Sequence, residues 1–311
     1  MKSKKSNLKG WETRWGFFFV APWILGFLVF NVVPMVASMG FTFLHLDLAN
    51  PDQQRFVGAD NWARALTNDP QVYAGIGRTL LFTLVSLPLS FAFALVMAIL
   101  LNSRYLLGTK LFRTLFYLPT MVPLVAGVLI WAGILNENTG WINQILQATT
   151  GTKVTGPEGV RWLADTHLIY FSYTIIGLWG LGNTILILMA GLQGIPTELH
   201  EAAEVDGASW GVRMFQITLP MMTPVIFYNL VTGLIGLMQY FLVPFVLTAG
   251  SGFPDGWTNF IMIYFYQQSF SYNNMGYGSV IAWIIFFLGL LFTVFLFGTS
   301  KRWVYYAGEK E

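Results

Sequence analysis

One polar passage gathers residues that could do chemistry, HEAAEVDGASWGVRMFQITLP at 200–220. Within it, GASWG at 207–211 fits the G-x-S-x-G spacing of a hydrolase nucleophile elbow, with Ser209 in the nucleophile position. A base would have to come from His45, His167 or His200. An elbow joins a strand to a helix beneath an α/β sheet, whereas helix-forming residues precede this serine. A membrane serine hydrolase is therefore the remote reading, and a helix N-cap is the expected role of Ser209. No G-x-x-x-x-G-K-[ST] phosphate loop occurs, and neither does the dipeptide Gly-Lys. Any ATP-driven work must then use another chain for hydrolysis. Cysteine is absent, which removes thiolate and disulfide chemistry.

A second set of residues suits solute contact. Asn229, Thr232, Gly233, Gly236, Gln239 and Tyr240 recur at intervals of three and four, placing amides, a hydroxyl, small residues and an aromatic ring along one side of a helix, with Tyr228 adjoining. Asn229 and Gln239 could meet sugar hydroxyls, and Tyr228 or Tyr240 could stack on a pyranose. Small and amide residues also mediate helix packing in membranes, so both uses stay open. A similar stripe, Tyr173, Gly177, Gly180 and Thr184, carries two glycines that favour close helix packing.

The elements that hold these residues are set by composition. Of 311 residues, 55% are hydrophobic and only 10% charged, against roughly a quarter charged in soluble domains. A spanning helix needs about 20 mostly apolar residues. Six stretches qualify, with cores near 16–39, 79–101, 115–135, 168–192, 222–248 and 279–297, and none has an ionisable side chain in its core. The expected fold is an all-α integral membrane protein of about six transmembrane helices, a single domain over 1–311 with a basic tail at 1–15. The segment 257–270, WTNFIMIYFYQQSF, reads as an interfacial helix. An ion-coupled secondary carrier usually needs intramembrane acids or histidine. The spans offer none, so that alternative rests on a sodium site of carbonyls and hydroxyls.

Orientation follows the Lys and Arg distribution. With both termini cytoplasmic, Lys2, Lys4, Lys5, Lys9, Arg14, Arg104, Lys110, Arg113, Arg213, Lys301, Arg302 and Lys310 fall inside. Arg55, Arg64, Arg78, Lys153 and Arg161 fall outside. This puts the loop 194–220 in the cytoplasm. There Pro196 suits a first turn, Glu198, Glu201 and Glu204 oppose the helix dipole, and Gly207 suits a left-handed cap. A second helix is expected from Trp210, ending before Pro220. The loop should form helix, glycine turn, helix.

EAAEVDGASWGVRMFQITLP at 201–220 resembles the EAA motif of the membrane subunits of binding-protein-dependent ABC importers, with Glu-Ala-Ala, Asp-Gly-Ala three residues on and a closing Leu-Pro. FVGADNWARAL at 56–66 and GTKLFRTLFYLPTMVPLVAGVLIW at 108–131 are similar to segments of the sugar-type permeases, in the branch for maltose, other oligosaccharides and glycerol phosphate. Where that branch often has a Gly-Gly-Pro turn, this chain has TAGSGFPDGWT at 248–258. The resemblance implies a noncatalytic permease in a bacterial or archaeal cell membrane, forming the path for a carbohydrate. It implies that Glu201, Ala202, Ala203, Asp206 and Gly207 form a coupling helix that enters a cleft of an ATPase subunit, with Pro220 as the motif's closing proline. The implied partners are two ATPase subunits, a second and different permease, an extracytoplasmic solute-binding protein and membrane lipid, with no nucleic acid. No cofactor is expected on this chain, ATP and Mg being held by the ATPases. The loop 136–167 could help to receive the binding protein or could be a solvated connector.

Overall fold

A computed structural model of the chain describes residues 5–103, 105–152, 156 and 159–305. Lys2, Lys4, Arg104, Lys153 and Lys310 lie outside the described residues. The described residues gather into two compact units, 1–69 with 265–283 and 70–264 with 284–311.

The first unit begins with α1 (Lys5–Phe27), a π turn (Leu28–Val32) and α2 (Val33–Phe41). The stretch Thr13–Phe41 is long and apolar enough to cross a membrane. Two short strands, β1 (Leu44–His45) and β2 (Arg55–Phe56), pair antiparallel, with Leu44 opposite Phe56. Then follow α3 (Asp60–Ala63) and a π turn (Arg64–Asn68). The connection 42–69 is tied to 265–283 by backbone bonds, Leu48 N–H to Asn273 C=O at 2.9 Å and Met275 N–H to Leu46 C=O at 2.9 Å. Tyr277 also donates to the buried Asp69 carboxylate at 2.6 Å, and the Arg64 guanidinium lies 4.1 Å from the centre of its ring.

The second unit is organised on α4 (Pro70–Asn102), a single helix of 33 residues. Around the chain follow α5 (Thr109–Tyr117), α6 (Leu124–Ile134), α7 (Trp141–Thr150), α8 (Ile169–Leu178), α9 (Gly182–Gln193), α10 (Thr197–Val205), α11 (Trp210–Arg213), α12 (Leu219–Met238) and α13 (Leu242–Thr248), then most of α14 (Ile261–Tyr266) and the part of α15 (Met275–Ser300) from residue 284 on. Helices α5, α8, α9 and α12 pack on α4. Near one end of α4, Phe82 joins Val128, Leu135, Ile169, Tyr173 and Phe260 in one buried cluster. Towards the other, Ala94, Ala98 and Leu101 join Ile185, Leu188, Met189 and Met222.

Four helices are long and apolar enough to span, Thr13–Phe41, Pro70–Asn102, Trp210–Thr248 and Met275–Ser300. The other two expected spans are bent pairs, which brings the total to six if each pair is one crossing. The segment expected as a straight helix over 115–135 turns by 105° between Met121 and Leu124. Pro123 supplies no N–H, and its ring drives Val122 into an extended conformation, ψ 130°. The segment 168–192 bends by 61° between α8 and α9, where Gly180 and Gly182 lower helix propensity. In compensation, Gly182 lets the backbones meet, since a Cβ there would lie 2.6 Å from the Phe116 carbonyl oxygen. Gly177 has nothing within 4 Å of its Cβ position and Gly180 only the Gly177 carbonyl, so close packing falls to Gly182 rather than to them.

One further expectation needs correction. The helix from Trp210 does not end before Pro220 but continues through a π turn (Met214–Thr218) into α12. The wider turn precedes the proline, and Pro220 occupies a first-turn position where its missing N–H costs little. The interruption comes later, at Gln239–Phe241, because the Pro244 ring would clash with the Tyr240 carbonyl in a continued helix. Segment 257–270 is covered in part by other segments of the chain. Its α14 residues Ile261, Ile263 and Tyr264 are buried, and the Ile261 N–H donates to Thr79 Oγ1 on α4 at 3.1 Å.

Replacing Gly182 by valine should overpack the α5–α9 contact and cost about 1–3 kcal/mol, read as a lower unfolding midpoint in detergent. Gly133→Ala, with nothing within 4 Å of the new Cβ, should leave that midpoint unchanged or slightly raised.

Candidate functional site

The hairpin of α10 and α11 is ordered by its own backbone. Helix α10 ends with two reverse bonds, Gly207 N–H to Glu204 C=O at 3.0 Å and Ala208 N–H to Ala203 C=O at 2.9 Å. This is a Schellman closure, and it requires the left-handed φ of +78° that Gly207 adopts. Ser209 follows in extended conformation, and its Oγ accepts from the Val212 N–H at 3.4 Å. Helix and turn precede Ser209, so the strand that a nucleophile elbow needs is replaced by a helix-capping arrangement. Arg213 Nη1 lies 2.6 Å from Glu204 Oε2 and braces the two helices.

No residue of α10 is buried. Glu201, Ala202, Asp206 and Gly207 are exposed and Ala203 is half-buried. Apolar side chains on the same hairpin are equally uncovered, Val205 being 88% and Trp210 64% exposed. A rigid, self-capped hairpin that shows both acids and large apolar groups has the makings of a docking element. Pro220 is half-buried on the helix leading away from it, and its carbonyl accepts from Thr223 Oγ1 at 2.6 Å.

The candidate solute face on α12 divides in two. Tyr228, Thr232 and Gln239 are exposed and lie along one side of the helix. Asn229 is buried, and its amide donates to the Val225 carbonyl of the same helix at 2.8 Å. Tyr240 packs into the cluster of Phe82, Tyr173 and Phe260, with ring centroids 4.6, 6.1 and 5.8 Å away. Its ring is therefore taken up by neighbours rather than presented for stacking.

A cavity of about 530 Å³ lies elsewhere, among α4, α5, α6 and α8. Phe93, Phe112, Phe116, Pro119, Trp131 and Trp179 form most of its wall. Sequence reading missed it because the 105° bend that opens it depends on two prolines inside an apolar run. The Leu-Pro and Val-Pro pairs at 118–119 and 122–123 were the available signal.

The fold defines a multi-span helical membrane protein that carries an uncovered helical hairpin. The chain belongs to the family of inner membrane components of binding-protein-dependent transport systems, which matches residues 90–303. It is 35% identical to the probable ABC transporter permease protein YesP of Bacillus subtilis, over 99% of this chain and 95% of the relative. Against the trehalose/maltose transport system permease protein MalF of Thermococcus litoralis, identity is 32% over 93% and 94% of the two chains. The fold matches a subunit in the crystal structure of a bacterial ABC transporter involved in the import of the acidic polysaccharide alginate, with a TM-score of 0.77, 23% identity, and 95% and 98% coverage.

Gly207→Val forces a β-branched residue into the left-handed region, at about 1–2 kcal/mol. Amide hydrogen exchange across 197–213 should accelerate while exchange in α4 stays as in the parent protein.

Proposed function

We propose that this chain is the membrane-spanning, noncatalytic subunit of an ATP-driven importer and forms part of the path for a carbohydrate delivered by an external binding protein. The exposed hairpin 197–213 carries the proposal, because a self-capped element with uncovered acids and apolar groups needs a partner surface. That partner is an ATPase, present in two copies, which binds and hydrolyses Mg-ATP. Glu201, Ala202, Ala203, Asp206 and Gly207 enter its cleft. Closure of the ATPases on ATP moves the hairpin, and α12, joined to α11 through the π turn and Pro220, carries that displacement into the membrane.

Carbohydrate as the solute is supported by the names of relatives, which include a permease for trehalose and maltose and one for arabinooligosaccharides in Bacillus subtilis, the latter 31% identical over 86% of this chain. It is supported chemically by the exposed Tyr228, Thr232 and Gln239. Polar side chains that face out of a spanning helix call for a protein neighbour or water. A second, different permease would enclose them, and the aromatic wall of Trp131 and Trp179 would offer faces for sugar rings. In this assignment both termini and the hairpin are cytoplasmic, in a bacterial or archaeal cell membrane.

The test is mass spectrometry of the tagged protein purified in mild detergent from its native membrane. An ATPase and a second multi-span protein should accompany it, and E201K with D206K should remove the ATPase. Recovery of this chain alone, with transport that persists after ATP depletion, would replace the importer by an ion-coupled carrier. In the assembled complex, Gln239→Ala should lower uptake about three- to tenfold, as expected for one lost hydrogen bond, with the ATPase still bound.

A further inference from the structure

The junction between the hairpin and α12 combines the features that bend helices. A π turn (Met214–Thr218) leads into α12, and two prolines follow it, Pro220 and Pro224. A proline has no N–H, so within a helix the carbonyl four residues before it loses its usual donor. For Pro224 that carbonyl belongs to Pro220.

The carbonyl is satisfied from the side. Thr223 Oγ1 donates to it at 2.6 Å, a common way for a threonine to repair a proline site. The same oxygen accepts the Tyr305 N–H at 2.8 Å, so one hydroxyl ties the junction to a backbone amide 82 residues further on. Beyond α15 the chain turns, with the Trp303 and Val304 N–H groups donating to the Ser300 carbonyl at 3.0 and 2.8 Å, and Val304 is buried. One turn past Thr223 on α12, the buried Phe227 ring meets Phe297 edge-on at 4.9 Å between centroids and Trp303 at 5.8 Å. A backbone bond and an aromatic contact thus reach the junction from one short segment.

We propose that segment 300–305 is a strap across the junction of hairpin and α12, with Thr223 as its positioning residue, and that it makes the two move as one body when an ATPase acts on the hairpin. The proposal rests on the ATPase reading above. Without the strap, the π turn and the two prolines would let the hairpin change its angle while α12 keeps its place. With it, the Pro220 carbonyl, the Thr223 hydroxyl and the Tyr305 amide form a chain of two hydrogen bonds that a change of angle must break.

The experiment uses the complete importer in mild detergent. Cysteine is absent from this chain, so Glu198→Cys on α10 and Ile235→Cys on α12 provide its two spin-label sites. Pulsed electron paramagnetic resonance then gives the distance distribution between them, without nucleotide and with ATP and vanadate. The parent protein should show one narrow distribution with the same mean in both states. Thr223→Val keeps the shape of the side chain and loses both bonds, and Tyr305→Pro removes only the N–H that reaches Thr223. Each should widen the distribution about twofold, whereas Thr223→Ser, which keeps the hydroxyl, should retain the parent width. Parent width in Tyr305→Pro would overturn the strap and leave Thr223 as a local partner of the Pro220 carbonyl. A parent mean that differs between the two nucleotide states would overturn the one-body motion. If no ATPase accompanies the chain, the importer reading fails, while the widths of the parent and Tyr305→Pro without nucleotide still decide whether the strap holds the junction.

Discussion

The second unit depends on how closely two helices approach. Ala94 and Ala98 on α4 are fully buried, and against them sit Ile185, Leu188 and Met189 of α9. In a bilayer, lipid tails are as apolar as leucine, so burying such side chains gains little from the hydrophobic effect. What remains is dispersion, about 0.1–0.2 kcal/mol for each well-placed atom pair, and it accumulates only where backbones come near. Two alanines one helical turn apart provide that approach. With α9 held, Gly191 can meet Met222 and Val225 of α12, so three helices on either side of the hairpin share one core.

That packing explains the contrast between the hairpin and its supports. Helices α9 and α12, which lead into and out of it, are anchored on α4. The hairpin itself buries nothing of α10 and keeps its shape through local bonds, namely the Schellman closure at Gly207, the Ser209 cap and the Glu204–Arg213 pair. Local bonds preserve its form while leaving its outer surface free.

The cavity follows from a departure from straight helices. A straight third span would have no sharp corner between α5 and α6, and the aromatic wall of Phe116, Trp131 and Trp179 would not close around a space. The connection after α6 depends instead on Asn143, one buried amide that ties three segments together. Polar satisfaction thus fixes this connection, as apolar packing shapes the helix bundle.

The sequence alone determined the membrane class, the approximate location of six apolar segments and the helix, turn, helix form of 197–213. Those follow from hydrophobic runs, capping residues and a left-handed glycine, all of which act within a few residues. It also carried the EAA resemblance in one contiguous stretch. Only the tertiary structure decided that 115–135 and 168–192 are bent, that α14 is packed against Thr79 and that Asn229 is buried and Tyr240 taken up by neighbours while Tyr228, Thr232 and Gln239 stay uncovered. Helical periodicity groups residues on a face but does not say what that face meets. Whether a proline breaks a helix, as at Pro123, or is carried through it, as at Pro88 and Pro220, depends on which neighbouring groups satisfy the freed carbonyls and occupy the space, and those come from distant parts of the chain.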